Sequence, residues 1–312
     1  MKKILIATIP GMIERTDVKC LGEICKIDWL ICDHISEKEL AEKSREYDYM
    51  MLNYDVVENL TSDFYDGVKG GNLEVISTDI TGMSWANPLL AKKAGIKLLN
   101  TTNYCTESVA EYSIAQILLY AKRFNMGYKD IRDGREPEAR KTFNILGKTI
   151  GIIGLGNIGT RVAEIARGMG FKVIGYNYVP VSVEGVELVD LETLFRSSDF
   201  ISLHLKTVPG KTEGIIDEKL LSLCKRNCFF ENQADEKLIN MGDLKNALEK
   251  KMIAGYGAVR SSENEELEGF DDVILSPANA WNSDESMENL KRIWMNNIIE
   301  FDKGNIINLV EE

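Results

Sequence analysis

The residues whose types and spacing speak most directly of chemistry are Gly154-Leu155-Gly156-Asn157-Ile158-Gly159. Glycines in a G-x-G-x-x-G pattern let the chain turn tightly, bring backbone against a pyrophosphate and pack a helix closely on a strand. Here Gly154 would permit the turn, Gly156 would admit the phosphates and Gly159 would take the helix–strand contact, with Asn157 and Ile158 opening the helix. The motif is weak in isolation, and its setting supplies the weight. Ile150 to Ile153 is an apolar run suited to a strand buried on both faces. Thr160 to Gly168 carries Val162, Ile165 and Ala166 at helical spacing, and Lys172 to Tyr176 returns to a strand. A helix N-terminus presents free N–H groups and partial positive charge to an anion. A strand, turn and helix without a ligand fits less well than a dinucleotide site. Asn177 stands at the end of the second strand, where an acidic residue usually takes the adenine ribose hydroxyls. The following Tyr178 to Val183 has no basic residue for a 2′-phosphate, which favours NAD over NADP.

Other reactive side chains are scarce. The 312 residues include two histidines, His34 and His204, and six cysteines. The cysteines show no C-x-x-C pair, and Cys224 and Cys228 have no histidines nearby, which argues against a zinc site. Reduced thiols in a cytoplasmic protein are expected. A net charge of −12 argues against nucleic acid or an anionic membrane surface as partner, and no apolar run is long enough to span a bilayer. The basic start Met1-Lys2-Lys3 leads into too short an apolar run for a signal peptide, so a first strand is expected. With 44% hydrophobic residues the chain can supply two cores.

The elements that must position the glycine turn alternate strand and helix along the whole chain, the pattern of parallel, doubly wound α/β sheets. In the first third, strands are expected near Ile4, Ile27, Tyr49, Leu73 and Lys97, with helices at 13–22, 36–46, 60–68 and 88–94. Thr106 to Phe124 reads as one long amphipathic helix, and a polar segment, Lys129 to Thr142, leads from it into the dinucleotide unit. A final helix, Ser286 to Lys303, is long enough to return to the first domain.

Over nearly its whole length the chain resembles the D-isomer-specific 2-hydroxyacid dehydrogenase family, which includes formate, glycerate and D-lactate dehydrogenases. The resemblance rests on the runs Asn100 to Glu111 (NTTNYCTESVAE) and Leu146 to Gly154 (LGKTIGIIG), on Ser202-Leu203-His204-Leu205 and on Leu275-Ser276-Pro277. It implies two doubly wound parallel-sheet domains. An NAD-binding Rossmann domain, residues 101–284, is inserted into a flavodoxin-like substrate domain, residues 1–100 and 285–312, with the active site in the cleft. It also implies a small-molecule substrate and a homodimer built largely through the insert after the long helix.

Family members reduce 2-keto acids with an arginine that holds the carboxylate, a histidine that donates the proton and a glutamate that sets its pKa. The family's N-T-A-R-G reads here Asn232-Gln233-Ala234-Asp235-Glu236, with Asp235 in the arginine's place. The family's T-P-H reads Ser276-Pro277-Ala278, with alanine for the histidine. For the glutamate, ungapped counting from Ile253 gives Asn264, and a one-residue gap gives Glu263. A carboxylate at 235 repels a substrate carboxylate; two like charges about 4 Å apart cost a few kcal/mol at an effective dielectric near 20. General acid catalysis contributes about 10²–10⁴-fold, and Ala278 has no proton to give. Ordinary keto-acid reduction is therefore not expected.

The resemblance places His204 at a strand end near the cofactor, where a purely structural role is also open. It places Tyr54, Tyr104 and Trp281 facing the substrate cleft, and a glycine loop at Thr81-Gly82 whose N–H groups can hold a ligand oxygen. Aromatic walls with Asp235 and Glu263 suit a cationic or amine-bearing ligand, or simply pack the cleft. Three readings follow. The first is an NAD-linked oxidoreductase with an imine, amine or cationic carbonyl substrate, its proton handled by Glu263, Asp235 or Tyr104. The second is a non-catalytic NAD sensor, and the third a non-redox enzyme that uses bound NAD transiently, as adenosylhomocysteine hydrolase does.

Overall fold

In the computed structural model, which describes residues 1–311, the alternation of apolar runs and helices resolves into two parallel sheets. Each belongs to its own compact unit: Met1–Cys105 with the chain from Asp284 onward, and Thr106–Ser283.

The first unit contains β1 (Lys2–Thr8), β2 (Cys25–Ile31), α1 (Glu37–Ser44), β3 (Tyr49–Leu52), α2 (Ser62–Val68), β4 (Val75–Thr78), α3 (Pro88–Ala94) and β5 (Lys97–Leu99). The strands pair in parallel in the order β2-β1-β3-β4-β5, a flavodoxin-like arrangement. β3 and β4 are buried at every position, because both faces are covered. Met50, Leu52 and Ile76 pack with Leu40, Phe64 and Ala91 of the three helices. Their sequence neighbours Tyr49, Met51 and Val75 point the other way, onto Leu290, Trp294 and Ile298 of the C-terminal helix Asp284–Asp302. Trp294 fixes that helix: its Nε1 donates to Ser77 O at 2.8 Å, and Ser77 Oγ donates to Trp294 O at 3.1 Å.

The second unit holds α4 (Thr106–Ala121), α5 (Phe124–Arg132), β6 (Thr149–Ile153), α6 (Asn157–Gly168), β7 (Lys172–Tyr176), β8 (Glu187–Leu188) and α7 (Leu191–Ser197). It continues with β9 (Phe200–Leu203), α8 (Glu218–Ser222), β10 (Phe229–Asn232), α9 (Met241–Glu249), β11 (Gly255–Val259) and β12 (Val273–Ser276). The seven strands are parallel, in the order β12-β11-β10-β9-β6-β7-β8. The order reverses between β6 and β9. In open parallel sheets that reversal is where ligands bind, outside the carboxyl ends of the strands.

Two local expectations are corrected. Residues 13–22 form turns that end in a 3₁₀ turn, Lys19–Glu23, instead of a helix. Glu14 N donates to the Asp17 carboxylate at 2.9 Å and Asp17 N donates to Glu14 O, a side-chain turn that competes with helical pairing. The long helix expected to Phe124 stops at Ala121, and Arg123 takes a left-handed φ of 56° before α5 begins. The Arg123 guanidinium, stacked 4.4 Å from the Tyr120 ring and paired with Asp272, holds that break. Part of the polar segment expected after Lys129 is accordingly helical. Among the described residues no helix is long and apolar enough to cross a membrane.

Candidate functional site

The glycine turn lies between the end of β6 and the start of α6, at the point where the strand order reverses. Gly154 has φ +97°, and its N–H donates to Tyr176 O at 2.8 Å, tying the turn to β7. A Cβ there would sit 2.4 Å from Leu205 N, so only glycine fits. A Cβ on Gly159 would sit 1.9 Å from Gly154 O, which makes this the close helix–strand contact. At Gly156 a Cβ would meet nothing within 4 Å, and Gly156 and Asn157 are exposed. Gly156 is also the N-cap of α6 and supplies no side-chain cap, which leaves first-turn N–H groups for an anion. Ile158 is partly buried behind them and packs on the core beneath. Open space at Gly156, at a helix N-terminus without a side-chain cap, fits a pyrophosphate.

Asn177 has a further task. Its Oδ1 accepts from Leu155 N at 2.9 Å and its Nδ2 donates to Val179 O at 2.7 Å, so the side chain braces the turn from β7. His204 follows β9, and its N–H donates to Ile153 O at 2.7 Å beside the turn. These two residues and the glycines are brought together in the second unit.

The same unit gathers a set of carboxylates. Asp235 is exposed and caps the 3₁₀ turn Glu236–Leu238, accepting from Lys237 N at 3.0 Å. Glu236 is half-buried and held by the Ser261 hydroxyl at 2.5 Å and by Asn264 Nδ2. Burial raises its pKa, the hydroxyl and amide working against that, while the charges of Glu263 and Asp235 add to the rise. Asn264 is fully buried; its Nδ2 also donates to Val259 O at 2.7 Å and its Oδ1 accepts from Ser261 N at 3.0 Å. Glu263 is exposed, with its backbone N–H on Ser261 Oγ. Ala278 is exposed, and its carbonyl accepts from Trp281 Nε1 at 3.0 Å, while the Trp281 ring is 40% exposed.

The other expected substrate residues belong to the first unit. Tyr54 is 40% exposed and meets Trp85 edge to face at 5.2 Å. The Thr81 hydroxyl is committed to Thr101 O at 2.7 Å, while Gly82 is exposed with open space around it. Tyr104 is partly buried, and burial raises its pKa. Sequence reasoning missed Asp79, at the end of β4. It is only 6% exposed and accepts from Tyr54 N at 2.8 Å and from Asn53 Nδ2. Burial pushes its pKa up to about 6, those hydrogen bonds opposing the rise. An acidic residue directly after the strand Val75 to Thr78 was the available signal. Glu231, inside the fully buried β10, was missed as well, and nothing in the sequence marks which way it points. All six cysteines are free, and among the described residues no cluster of potential ligands could hold a metal.

A seven-stranded parallel sheet with an open glycine turn at its reversal defines a dinucleotide-binding protein of the Rossmann class. The sequence pattern of the D-isomer-specific 2-hydroxyacid dehydrogenase NAD-binding domain matches residues 114–280. The chain is 31% identical over 283 residues to a glyoxylate reductase of Thermococcus litoralis, covering 86% of this chain and 84% of that one. It is 33% identical over 225 residues to a hydroxypyruvate reductase of Thermotoga maritima, covering 72% and 71%. Among solved structures, an acyclic imino acid reductase in complex with NADPH and D-Arg superposes with a TM-score of 0.83 at 26% identity, covering 99% of this chain and 100% of that one. The chain belongs to the D-isomer-specific 2-hydroxyacid dehydrogenase family. It is an NAD-dependent oxidoreductase of that type.

Proposed function

We propose that this member reduces an imine, or a carbonyl compound bearing positive charge, rather than a simple 2-keto acid. The observation that carries the reading is the carboxylate set Asp235, Glu236 and Glu263: burial raises the Glu236 pKa, and the charges of Glu263 and Asp235 add to that rise. Such a field attracts a cation and repels the carboxylate that the family's arginine would hold. Within the first unit, taken by itself, the largely buried Asp79 is a carboxyl beside Tyr54.

Bound NADH supplies the hydride. A ketone also needs an acid to protonate its developing alkoxide, and Ala278 provides none. An iminium carries its proton on nitrogen beforehand, so hydride addition at carbon sends the C=N π pair to that nitrogen and leaves a neutral amine. Asp235, Glu236 and Glu263 would favour the cationic ground state, and the aromatic face of Trp281, in the same unit, suits the same charge. The imino acid reductase that superposes on the whole chain is named for this substrate class and was solved with a cationic amino acid. NADH oxidation with glyoxylate, pyruvate and hydroxypyruvate, each with and without ammonia, tests the reading. Turnover should depend on the amine, by about 100-fold or more given the usual value of general acid catalysis.

We also propose a homodimer. Phe124, Tyr128 and Ile131 make an apolar stripe on α5 and are 56%, 69% and 61% exposed, an arrangement that favours burial against a second copy. Light scattering should give twice the chain mass, and Tyr128→Glu with Ile131→Glu should halve it. A monomeric wild type would contradict this.

A further inference from the structure

Glu231 lies in β10 with no exposed surface, and its register partner on β9 is Ser202. Side chains at paired positions of neighbouring strands share a face, which sets the carboxyl beside the hydroxyl. Glu231 Oε2 is 2.5 Å from Ser202 Oγ, and the same hydroxyl is 2.7 Å from Nε2 of His204. Ser202 has no exposed surface either, whereas His204 is partly exposed where β9 ends. That end abuts the NAD cradle: a Cβ on Gly154 would come within 2.5 Å of the His204 carbonyl carbon. Three hydrogen-bonded groups thus run from the middle of the sheet to the glycine turn.

One hydroxyl between a carboxyl and an imidazole admits two arrangements that differ by a single proton. With Glu231 protonated, its O–H donates to Ser202 Oγ, Ser202 donates to Nε2, and the ring proton sits on Nδ1. With Glu231 ionised, Ser202 donates to the carboxylate, Nε2–H donates to Ser202 Oγ, and Nδ1 is bare. Part of His204 meets solvent, but enough protein surrounds the ring for burial to push its pKa down to about 3, so it stays neutral in both arrangements. Burial raises Glu231 to about 7, with Ser202, Gln233 and Ser113 opposing the rise. Ser113 comes from α4 and Gln233 follows β10, yet neither completes a hydrogen bond of ordinary geometry to Oε1. On β11, Tyr256 pairs in register with Phe230 and so stands on the opposite face from Glu231; burial raises its pKa, and the Glu236 and Glu231 charges add to that.

We propose that Glu231, Ser202 and His204 form a buried proton relay in the NAD-binding domain, in which one proton passes between the Glu231 carboxyl and Nδ1 of His204 through the Ser202 hydroxyl. On delivery the Glu231 O–H bond breaks and Ser202 takes that proton. Ser202 gives its own to Nε2, and Nδ1–H passes to solvent water at the partly exposed ring. Glu231 is left as carboxylate and regains a proton from water by the reverse sequence. Glu231 and Ser202 are positioning residues that act through His204. The relay is a property of the NAD-binding domain beside the glycine turn, and the reductase reading above, in which the iminium arrives already protonated, does not draw on it.

Ring ¹⁵N NMR of the full chain tests the relay without any turnover, so failure of the reductase reading would leave its outcome untouched. The chain has only two histidines, and the exposed His34 gives the second set of signals. Between about pH 5.5 and about pH 8.5 the His204 signals should invert from the Nδ1–H to the Nε2–H pattern without passing through imidazolium. Glu231→Gln should hold one pattern throughout, and Ser202→Ala should uncouple the ring while retaining the NAD-induced rise in melting temperature. A wild-type ring that keeps one pattern across the range, or a Glu231→Gln ring that inverts at the same midpoint, overturns the proposal.

Discussion

Gly159→Ala should abolish NAD binding and destabilise the dinucleotide domain by about 3 kcal/mol or more, whereas Gly156→Ala should spare the free protein. The added methyl at 159 would lie 1.9 Å from Gly154 O, which is backbone and cannot rotate away. Gly154 in turn is clamped by its bond to Tyr176 O and by the approach of Leu205, so relief requires α6 to lift off β6. At Gly156 the methyl meets nothing within 4 Å, and the backbone there, φ −78° and ψ −163°, is open to alanine. Its only cost falls on a pyrophosphate brought against the N-terminus of α6. The Gly156→Ala free protein should melt within about 0.5 kcal/mol of wild type. The stabilisation by NAD should nevertheless shrink, because binding to the native state alone raises apparent stability. Equal loss of free-protein stability in both variants would contradict this division of roles.

Glu231→Gln should remove a pH-dependent destabilisation of about 3 kcal/mol. The folded-state pKa of Glu231 is raised from 4.5 to about 7, mainly by complete burial. A tenfold change in a proton-binding constant is worth about 1.4 kcal/mol. Below the unfolded value both states hold the proton and the group imposes no penalty. As pH rises through 4.5 the unfolded chain ionises first while the fold keeps its proton, so stability falls until the folded value near 7 is passed. The loss is then constant. Glutamine has no such proton, and its amide can still bond to Ser202. Denaturant unfolding of both proteins at about pH 5 and about pH 8 should show the variant gaining most of that difference at the higher pH. Parallel pH dependence in the two would mean that Glu231 is ionised in the fold throughout.

The glycine turn was legible because its signal is local: strand, turn and helix lie within Thr149 to Gly168, and each glycine answers to a steric demand a few residues away. Parallel sheets were legible from alternation, and α1 from its Ser36 cap, whose hydroxyl accepts from Glu39 N at 3.3 Å. The buried carboxyls were not. In strands covered on both faces the polar–apolar alternation disappears, so Glu231 in Phe229-Phe230-Glu231-Asn232 carries no mark of which way it points. Its meaning depends on Ser202, which is remote in sequence and meets it only through strand register. The break at Arg123 was hidden for a similar reason. Arginine is a good helix former, and the left-handed turn is imposed by Asp272 and the Tyr120 ring. Asn177 was legible as a residue beside the cofactor turn, but its bracing of Leu155 N depends on the turn's shape.

The acidic site leads to one quantity, the ratio of kcat/KM for NADH-dependent reduction of an imine to that of its parent 2-keto acid, measured on one preparation at fixed pH and salt. A ratio of about 100 or more is predicted, from the missing acid at Ala278 and the carboxylates Asp235, Glu236 and Glu263. A ratio near one, with glyoxylate or hydroxypyruvate turned over at rates ordinary for dehydrogenases, would contradict it.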